Sequence, residues 1–282
     1  MSQSRQAFSS HGRHWRNFRY VYPVISRRSK GLSIGINLSL DAACNFNCVY
    51  CQVDRRVPHP PHQVDLPVLE RELLGIAGSS QRLFDEPEFK DVPPQYQRLN
   101  DIAFSGDGEP TASPAFPAAA RLAATARAST GVTSTRIVVI TNGCFLTRPL
   151  VAEALAYLDQ HNLDIWAKLD AGTPEYYKRV NRASHSLEHV LDGILFASRV
   201  RPVTIQSLFM RLHDEPPPAS EIQAYAQRLR DMQQGGGRIR LVQIYTVARS
   251  PAEEYVHPLT RAELNDIADA VRPLGVPVEC YA

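Results

Sequence analysis

The stretch "DAACNFNCVYCQVD", residues 41–54, places Cys44, Cys48 and Cys51 within eight positions, in the spacing C-x3-C-x2-C. It directly follows "GLSIGINLSL" (31–40), whose alternating apolar and polar residues have the period of a strand. A strand that ends on metal-ligating residues suits a parallel α/β protein, where chemistry sits at the C-terminal ends of strands. A structural zinc site uses four ligands, usually as two separated pairs. No second pair exists here: Cys144 and Cys280 are isolated, and His59 and His62 lie in the Pro-rich run "VPHPPH". A Cys3His zinc site is one reading of these residues. A [4Fe–4S] cluster is the other, since it takes one thiolate per iron and three cysteines leave one iron open.

Working outward, "LPVLERELLGIAG" (66–78) has leucines at helical spacing and stops on Gly. Residues 79–97 read as a loop insertion ahead of the strand "RLNDIAFSG". The alternation is then regular: a helix over about 114–127, the strand "TRIVVITNG", and a helix over Pro149–Gln160. The strand "LDIWAKLDA" (163–171) precedes helical sequence over 174–199, broken near Ala183–Ser184. "PVTIQSLFM", "ASEIQAYAQRLRDMQ", "RIRLVQIYTV", a helix over Thr260–Val271 and "VPVECY" complete the series. Six strand–helix units and a last strand predict an α/β fold with parallel strands, either barrel or doubly wound. The body is expected to be one domain, residues 31–282, behind a basic extension over 1–30.

Composition is ordinary for a globular chain, with 44% hydrophobic and 21% charged residues. No apolar run approaches the length of a membrane span and no signal peptide is evident, so no membrane partner is expected. Five cysteines, three of them clustered, suit a reducing, cytoplasmic compartment better than a disulfide framework. The net charge of +2 hides an asymmetry, because residues 1–40 hold Arg5, Arg13, Arg16, Arg19, Arg27, Arg28 and Lys30 and no acid. Interleaved with Phe8, Trp15, Phe18, Tyr20 and Tyr22, these residues read either as an RNA-binding arm or as an extension packed on the body.

Other chemistry-bearing residues also follow strands. "FSGDGEPT" (104–111) is a Gly-rich turn whose Glu109 can accept from an ammonium group. The third strand ends in "TNG" with Asn142, followed by Cys144. On the fourth strand, Lys168 and Asp170 share a face with Trp166 behind them, as an ion pair or a ligand site. Gln206 and Gln243 raise the same question on the next two strands. Cys280 is expected to be buried, and His185 and His189 form a pair four residues apart with no third ligand nearby.

"CNFNCVYC" resembles the cluster motif of the radical S-adenosylmethionine (radical SAM) superfamily, with an aromatic residue just before the last cysteine. The resemblance implies a partial (βα)6 TIM-like barrel in which Cys44, Cys48 and Cys51 bind a [4Fe–4S] cluster. It implies S-adenosylmethionine on the open iron, Tyr50 beside its adenine, and Gly106, Asp107, Gly108 and Glu109 on its amino group, Asp107 replacing one Gly of the usual Gly–Gly–Glu. Asn142 joins the cofactor-binding set, and Lys168, Asp170 and Cys144 are the catalytic candidates. The implied activity is reductive cleavage to a 5′-deoxyadenosyl radical that takes hydrogen from the substrate, with an external donor of the flavodoxin or ferredoxin type.

"YVYPVISRRSKGLSIGINL", "KLDAG", "VNR" and "VQIYTVARSPAE" (242–253) are similar to the wyosine-synthase-like, tRNA-modifying branch. That branch carries a second cluster on N-terminal cysteines, and no cysteine precedes Cys44 here. The expected substrate is a tRNA or nucleoside, the alternatives being a small molecule, a peptide, or a non-catalytic electron carrier. A monomer is expected.

Overall fold

The computed structural model describes residues 15–53, 55, 60–249, 251 and 253–282. They form two compact units. One contains the described parts of residues 1–43, 59–140 and 148–164, and the other those of 44–58, 141–147 and 165–282.

In the first unit, β1 (Val21–Ser26) runs antiparallel to β2 (Gly31–Ile36), which lies parallel to β3 (Leu99–Phe104). β4 (Arg136–Thr141) pairs parallel with β3. All six residues of β2 are buried, as expected of a parallel strand covered on both faces. The helices α1 (Leu66–Gly78), α2 (Phe116–Ser129) and α3 (Pro149–Asp159) follow β2, β3 and β4 in turn. The α1 helix starts at Asp65, whose side chain accepts from the Val68 N–H, and Pro67 lies in its first turn. Small residues at Ala119, Ala120, Ala123 and Ala124 form the buried face of α2. The insertion over 79–97 coils into two 3-10 turns, Ser80–Asp85 and Pro94–Tyr96, and buries Leu83, Phe84, Phe89 and Val92.

β1 lies inside the segment that the sequence presents as an extension. Pro23 disguises it, and proline is tolerated because β1 is an edge strand. Glu72 of α1 is buried and accepts from three backbone N–H groups ahead of and within β1, those of Arg19, Tyr20 and Val21, at 2.8–3.2 Å. Tyr20 is fully buried; its hydroxyl accepts from the Asp65 N–H and bonds His62 Nε2. Trp15 packs on Phe89 with ring centroids 5.7 Å apart, and the Tyr22 hydroxyl meets Ser105 Oγ at 2.9 Å. Trp15, Tyr20 and Tyr22 are therefore packed on the body. Arg5, Phe8 and Arg13 lie outside the described residues.

The second unit orders β5 (Leu163–Lys168), β6 (Val203–Leu208), β8 (Ile239–Tyr245) and β10 (Val278–Tyr281) side by side and parallel. β7 (Arg211–Leu212) and β9 (Val256–His257) make a separate antiparallel pair. Four helices join the strands: α4 (Pro174–Val180), α5 (Leu187–Val200), α6 (Ala219–Gln234) and α7 (Arg261–Val271). Thr173, Ser186 and Thr260 cap α4, α5 and α7, Thr260 in a full capping box with Glu263. The gap between α4 and α5 falls at the expected break. Cys280 is half-buried rather than buried, because β10 is the edge strand; its Sγ lies 3.8 Å from the Leu264 carbonyl oxygen. Among the described residues, no helix is long and apolar enough to cross a membrane.

Candidate active site

The Gly-rich turn lies after β3 in the first unit, against the segment leaving β2. A Cβ on Gly106 would meet Asn37 Oδ1 at 2.3 Å, and one on Gly108 would meet the Ala43 carbonyl oxygen at 2.0 Å. The glycines thus let the turn pack on its own chain, a nearer cause than the approach of a ligand expected from the sequence. Asn37, buried at the end of β2, grips Asp107 from two sides: its Nδ2 donates to Asp107 Oδ2 and its Oδ1 accepts from the Asp107 N–H at 3.2 Å. Glu109 is 3% exposed and caps the 3-10 turn Pro110–Ala112, accepting from the Thr111 N–H at 3.1 Å and from its hydroxyl.

The cysteine loop belongs to the second unit and docks on the C-terminal end of α4. The last carbonyls of a helix lack partners within it, and here the loop supplies them. The Asn47 N–H bonds the Asn181 oxygen at 3.1 Å, and the Val49 N–H bonds the Val180 oxygen at 2.9 Å. The loop is secured further by Asn142 Nδ2, which donates to Asn45 Oδ1 at 2.7 Å, by Ser184, which bonds the Asn45 carbonyl, and by Arg249, which bonds Gln52.

Each cysteine sulfur is met by an N–H donor. The Phe46 N–H lies 3.4 Å from Cys44 Sγ, Asn181 Nδ2 lies 3.5 Å from Cys48 Sγ, and Arg55 Nη1 lies 3.1 Å from Cys51 Sγ. Hydrogen bonds to sulfur are one means by which proteins tune iron–sulfur clusters. Burial pushes the Cys48 thiol up to about 12, and the Asp170 charge adds to the rise. A bound metal takes the thiolate, so loading would displace that proton. The buried polar atoms without a protein partner include Asn45 Nδ2, Tyr177 Oη and Asn181 Oδ1. All three lie on the cysteine loop or the segment that receives it. No three His, Cys, Asp or Glu side chains among the described residues converge on one point, as a single ion would require. A cubane takes one thiolate per iron and asks for no such convergence. The donor set and the buried orphan atoms fit a cluster.

Beside the loop lies a charged hub. Asp170 is 2% exposed and accepts four hydrogen bonds: from Lys168 Nζ at 2.9 Å, the Leu208 N–H at 2.8 Å, the Tyr50 hydroxyl at 2.5 Å and Asn181 Nδ2 at 3.0 Å. Lys168 also donates to the Tyr245 hydroxyl at 2.7 Å. Its ammonium lies 5.1 and 4.9 Å from the Tyr50 and Tyr245 ring centroids, within cation–π range. Burial pulls the Lys168 pKa down, but the Asp170 charge and Tyr245 raise it more, so the net shift is upward. Burial and the neighbouring Asp170 push the Tyr50 phenol up. The two amide protons of Asn181 face a sulfur and a carboxylate, which fixes its orientation, since a flipped amide would set its oxygen against both.

The structure thus brings Cys44, Cys48, Cys51, Tyr50, Asn142, Lys168 and Asp170 into one unit, and places Gly106–Glu109 in the other. Cys144 is buried; its N–H bonds Asn142 Oδ1 and its carbonyl lies 2.9 Å from His189 Nε2. His185 stacks on His189, with ring centroids 4.7 Å apart. Gln206 and Gln243 bond each other at 2.7 Å, in register with Lys168. Asn37, Asn45, Arg55, Asn181 and Tyr245 were not singled out by sequence, although the stretches "GLSIGINL", "CNFNCVYC", "VNR" and "VQIYTV" contain four of them. Arg182 of "VNR" bonds Glu253 and Tyr255, bringing the last two of these motifs together.

Residues 39–219 match the radical SAM superfamily. The chain belongs to that superfamily. Membership of that superfamily implies a [4Fe–4S] cluster and S-adenosylmethionine. A UPF0026 protein of Synechocystis is 31% identical over 184 residues, which cover 63% of this chain and 58% of that one. A UPF0026 protein of Helicobacter pylori is 24% identical over 63% of this chain and 51% of its own length. The chain thus matches just over half of the length of these relatives. Among solved structures, Streptococcus suis SuiB bound to S-adenosylmethionine superposes with TM-score 0.62 at 11% identity, over 90% of this chain and 51% of SuiB. TYW1 with a lysine-pyruvate adduct superposes with TM-score 0.56 at 15% identity, over 86% of this chain and 73% of that one. These likenesses are of fold, and the radical SAM fold is the partial (βα)6 barrel expected from the sequence.

Proposed function

We propose that the enzyme cleaves S-adenosylmethionine reductively with a cluster held by Cys44, Cys48 and Cys51. Tyr50 and Asn142 of the second unit hold the S-adenosylmethionine, and in the first unit Glu109 of the turn Gly106–Glu109 is an acceptor for an amino group. The observation that supports this is the cysteine loop itself, with an N–H donor at each of three sulfurs. When bound, the two cofactors supply hydrogen-abstracting radical chemistry, for which the electron comes from a flavodoxin- or ferredoxin-type donor. Protein reconstituted anaerobically with iron and sulfide, then given dithionite, should convert S-adenosylmethionine to 5′-deoxyadenosine and methionine. No conversion by a fully loaded protein would refute the assignment.

Lys168 holds an anionic group of the substrate, and Asp170 positions Lys168. Asp170 and Tyr245 take two of its three N–H groups, leaving one donor for a ligand. The raised pKa keeps the amine charged, and a charged amine lacks the lone pair that an imine with a carbonyl needs. Anion pairing is accordingly favoured here over an adduct like that in TYW1.

An RNA substrate supplies such anions and matches the acid-free charge of residues 1–40. Arg16 and Arg19 are exposed, Arg16 in an ion pair with Glu86 that a phosphate would have to displace, while Trp15, Tyr20 and Tyr22 are occupied in packing. Affinity for tRNA should fall as salt rises, and replacing Arg16 and Arg19 together by alanine should lower the slope of that dependence by about 2. A salt-independent affinity, or none, would turn the assignment toward a small molecule or peptide.

A further inference from the structure

Arg55, four residues beyond the last cysteine, has no place in the motif and none in the reaction as described. Its guanidinium lies 3.1 Å from Cys51 Sγ and is steadied by the Val53 carbonyl oxygen at 3.4 Å. Of the donors described on the three sulfurs, Phe46 and Asn181 are neutral amides and Arg55 brings a full charge. Burial pulls the guanidinium's pKa down, and the nearby Cys51 and Cys44 raise it further than burial lowers it. The other charged pair near the loop, Lys168 and Asp170, is compensated internally at 2.9 Å. A guanidinium stays protonated throughout the accessible pH range.

We infer that Arg55 sets the reduction potential of the cluster, its charge on Cys51 and Cys44 favouring the reduced state and bringing the cluster within reach of a biological electron donor. This rests on the cluster assignment proposed above. The step concerned is the addition of one electron, from a low-potential donor, to the oxidised cluster, with no bond made or broken. The added electron makes the cluster and its thiolates more negative by one unit. A fixed positive charge beside two of those thiolates stabilises that form over the oxidised one. Arg55 is thus a positioning and tuning residue, with no contact to a reacting atom.

The experiment is an electron paramagnetic resonance-monitored redox titration of the reconstituted protein, without S-adenosylmethionine or substrate, with iron counted per chain in each sample. Arg55→Leu removes charge and donor, Arg55→Gln keeps a donor without charge, and Arg55→Lys keeps the charge. At equal iron content, Arg55→Leu and Arg55→Gln should move the midpoint negative by at least a tenfold change in the reduced-to-oxidised ratio, about 59 mV for one electron. Arg55→Lys should stay close to the wild type. A midpoint unchanged or more positive in Arg55→Leu overturns the inference. Should Arg55→Leu fail to load iron, equal midpoints for Arg55→Gln and Arg55→Lys overturn it, and a more negative one for Arg55→Gln sustains it. Wild-type protein that binds no cluster would instead refute the cluster assignment, so the two failures are distinguishable.

Discussion

Cys48→Ala protein is expected to emerge from anaerobic reconstitution with iron well below the wild-type content, and to produce no 5′-deoxyadenosine above background. Of the three cysteines, Cys48 is the one tied to the rest of the site, through Asn181 to Asp170 and from there to Tyr50 and Lys168. Removing the sulfur deletes a ligand and leaves the Asn181 amide with one acceptor in place of two. Asn181→Ala provides the graded comparison, because it keeps every ligand and removes only the supporting hydrogen bonds to Cys48 and Asp170. A loss of about 10- to 100-fold in activity or metal affinity is expected for it. Since the metal-free Cys48 thiol is held up to about 12, it must release its proton when it binds iron. Cluster loading should therefore be less complete at pH 6 than at pH 8. Full iron content and wild-type turnover in Cys48→Ala would show that the cluster is held elsewhere.

Asp170→Ala should be the most destabilising single substitution in the second unit. The change strands the Lys168 ammonium, whose side chain is only 16% exposed, without its counter-charge. It also removes the acceptor for the Leu208 N–H, the Asn181 amide and the Tyr50 hydroxyl. Breaking one side of a buried ion pair costs about 3–5 kcal/mol, mostly from the charge left behind. Asp170→Asn keeps an acceptor oxygen and should cost less. Combining Asp170→Asn with Lys168→Met removes both charges and should recover part of the loss. Urea unfolding of the two single variants and the double variant measures the coupling. Strictly additive effects would mean that the pair contributes no coupling and that Asp170 acts through its backbone and amide partners alone.

Much of the fold was legible before any coordinates. Helix and strand periods are local, so the six strand–helix units emerged in order, and helix starts at Asp65, Thr173 and Thr260 have short polar caps. β1 was less legible because Pro23 and the surrounding arginines make its segment resemble an extension. Its place depends on Glu72, some fifty residues on, collecting its backbone N–H groups. The Gly-rich turn was recognised for its glycines. That those glycines accommodate Asn37 and the Ala43 carbonyl follows only from the packing of β2 against β3.

The three cysteines stand within eight positions, so the sequence alone pointed to the proposed ligand set and to the open iron position it implies. Spacing along a chain controls which groups can reach one cluster, and that information is local. Tertiary structure alone decided what surrounds those sulfurs. Asn181 reaches Cys48 from 133 residues away, and Asp170 draws donors from Tyr50, Leu208 and Asn181 as well as from its near neighbour Lys168. A side chain's hydrogen-bond partners are chosen by which elements pack together. That is a property of the folded sheet and helices, and no local pattern in the sequence encodes it.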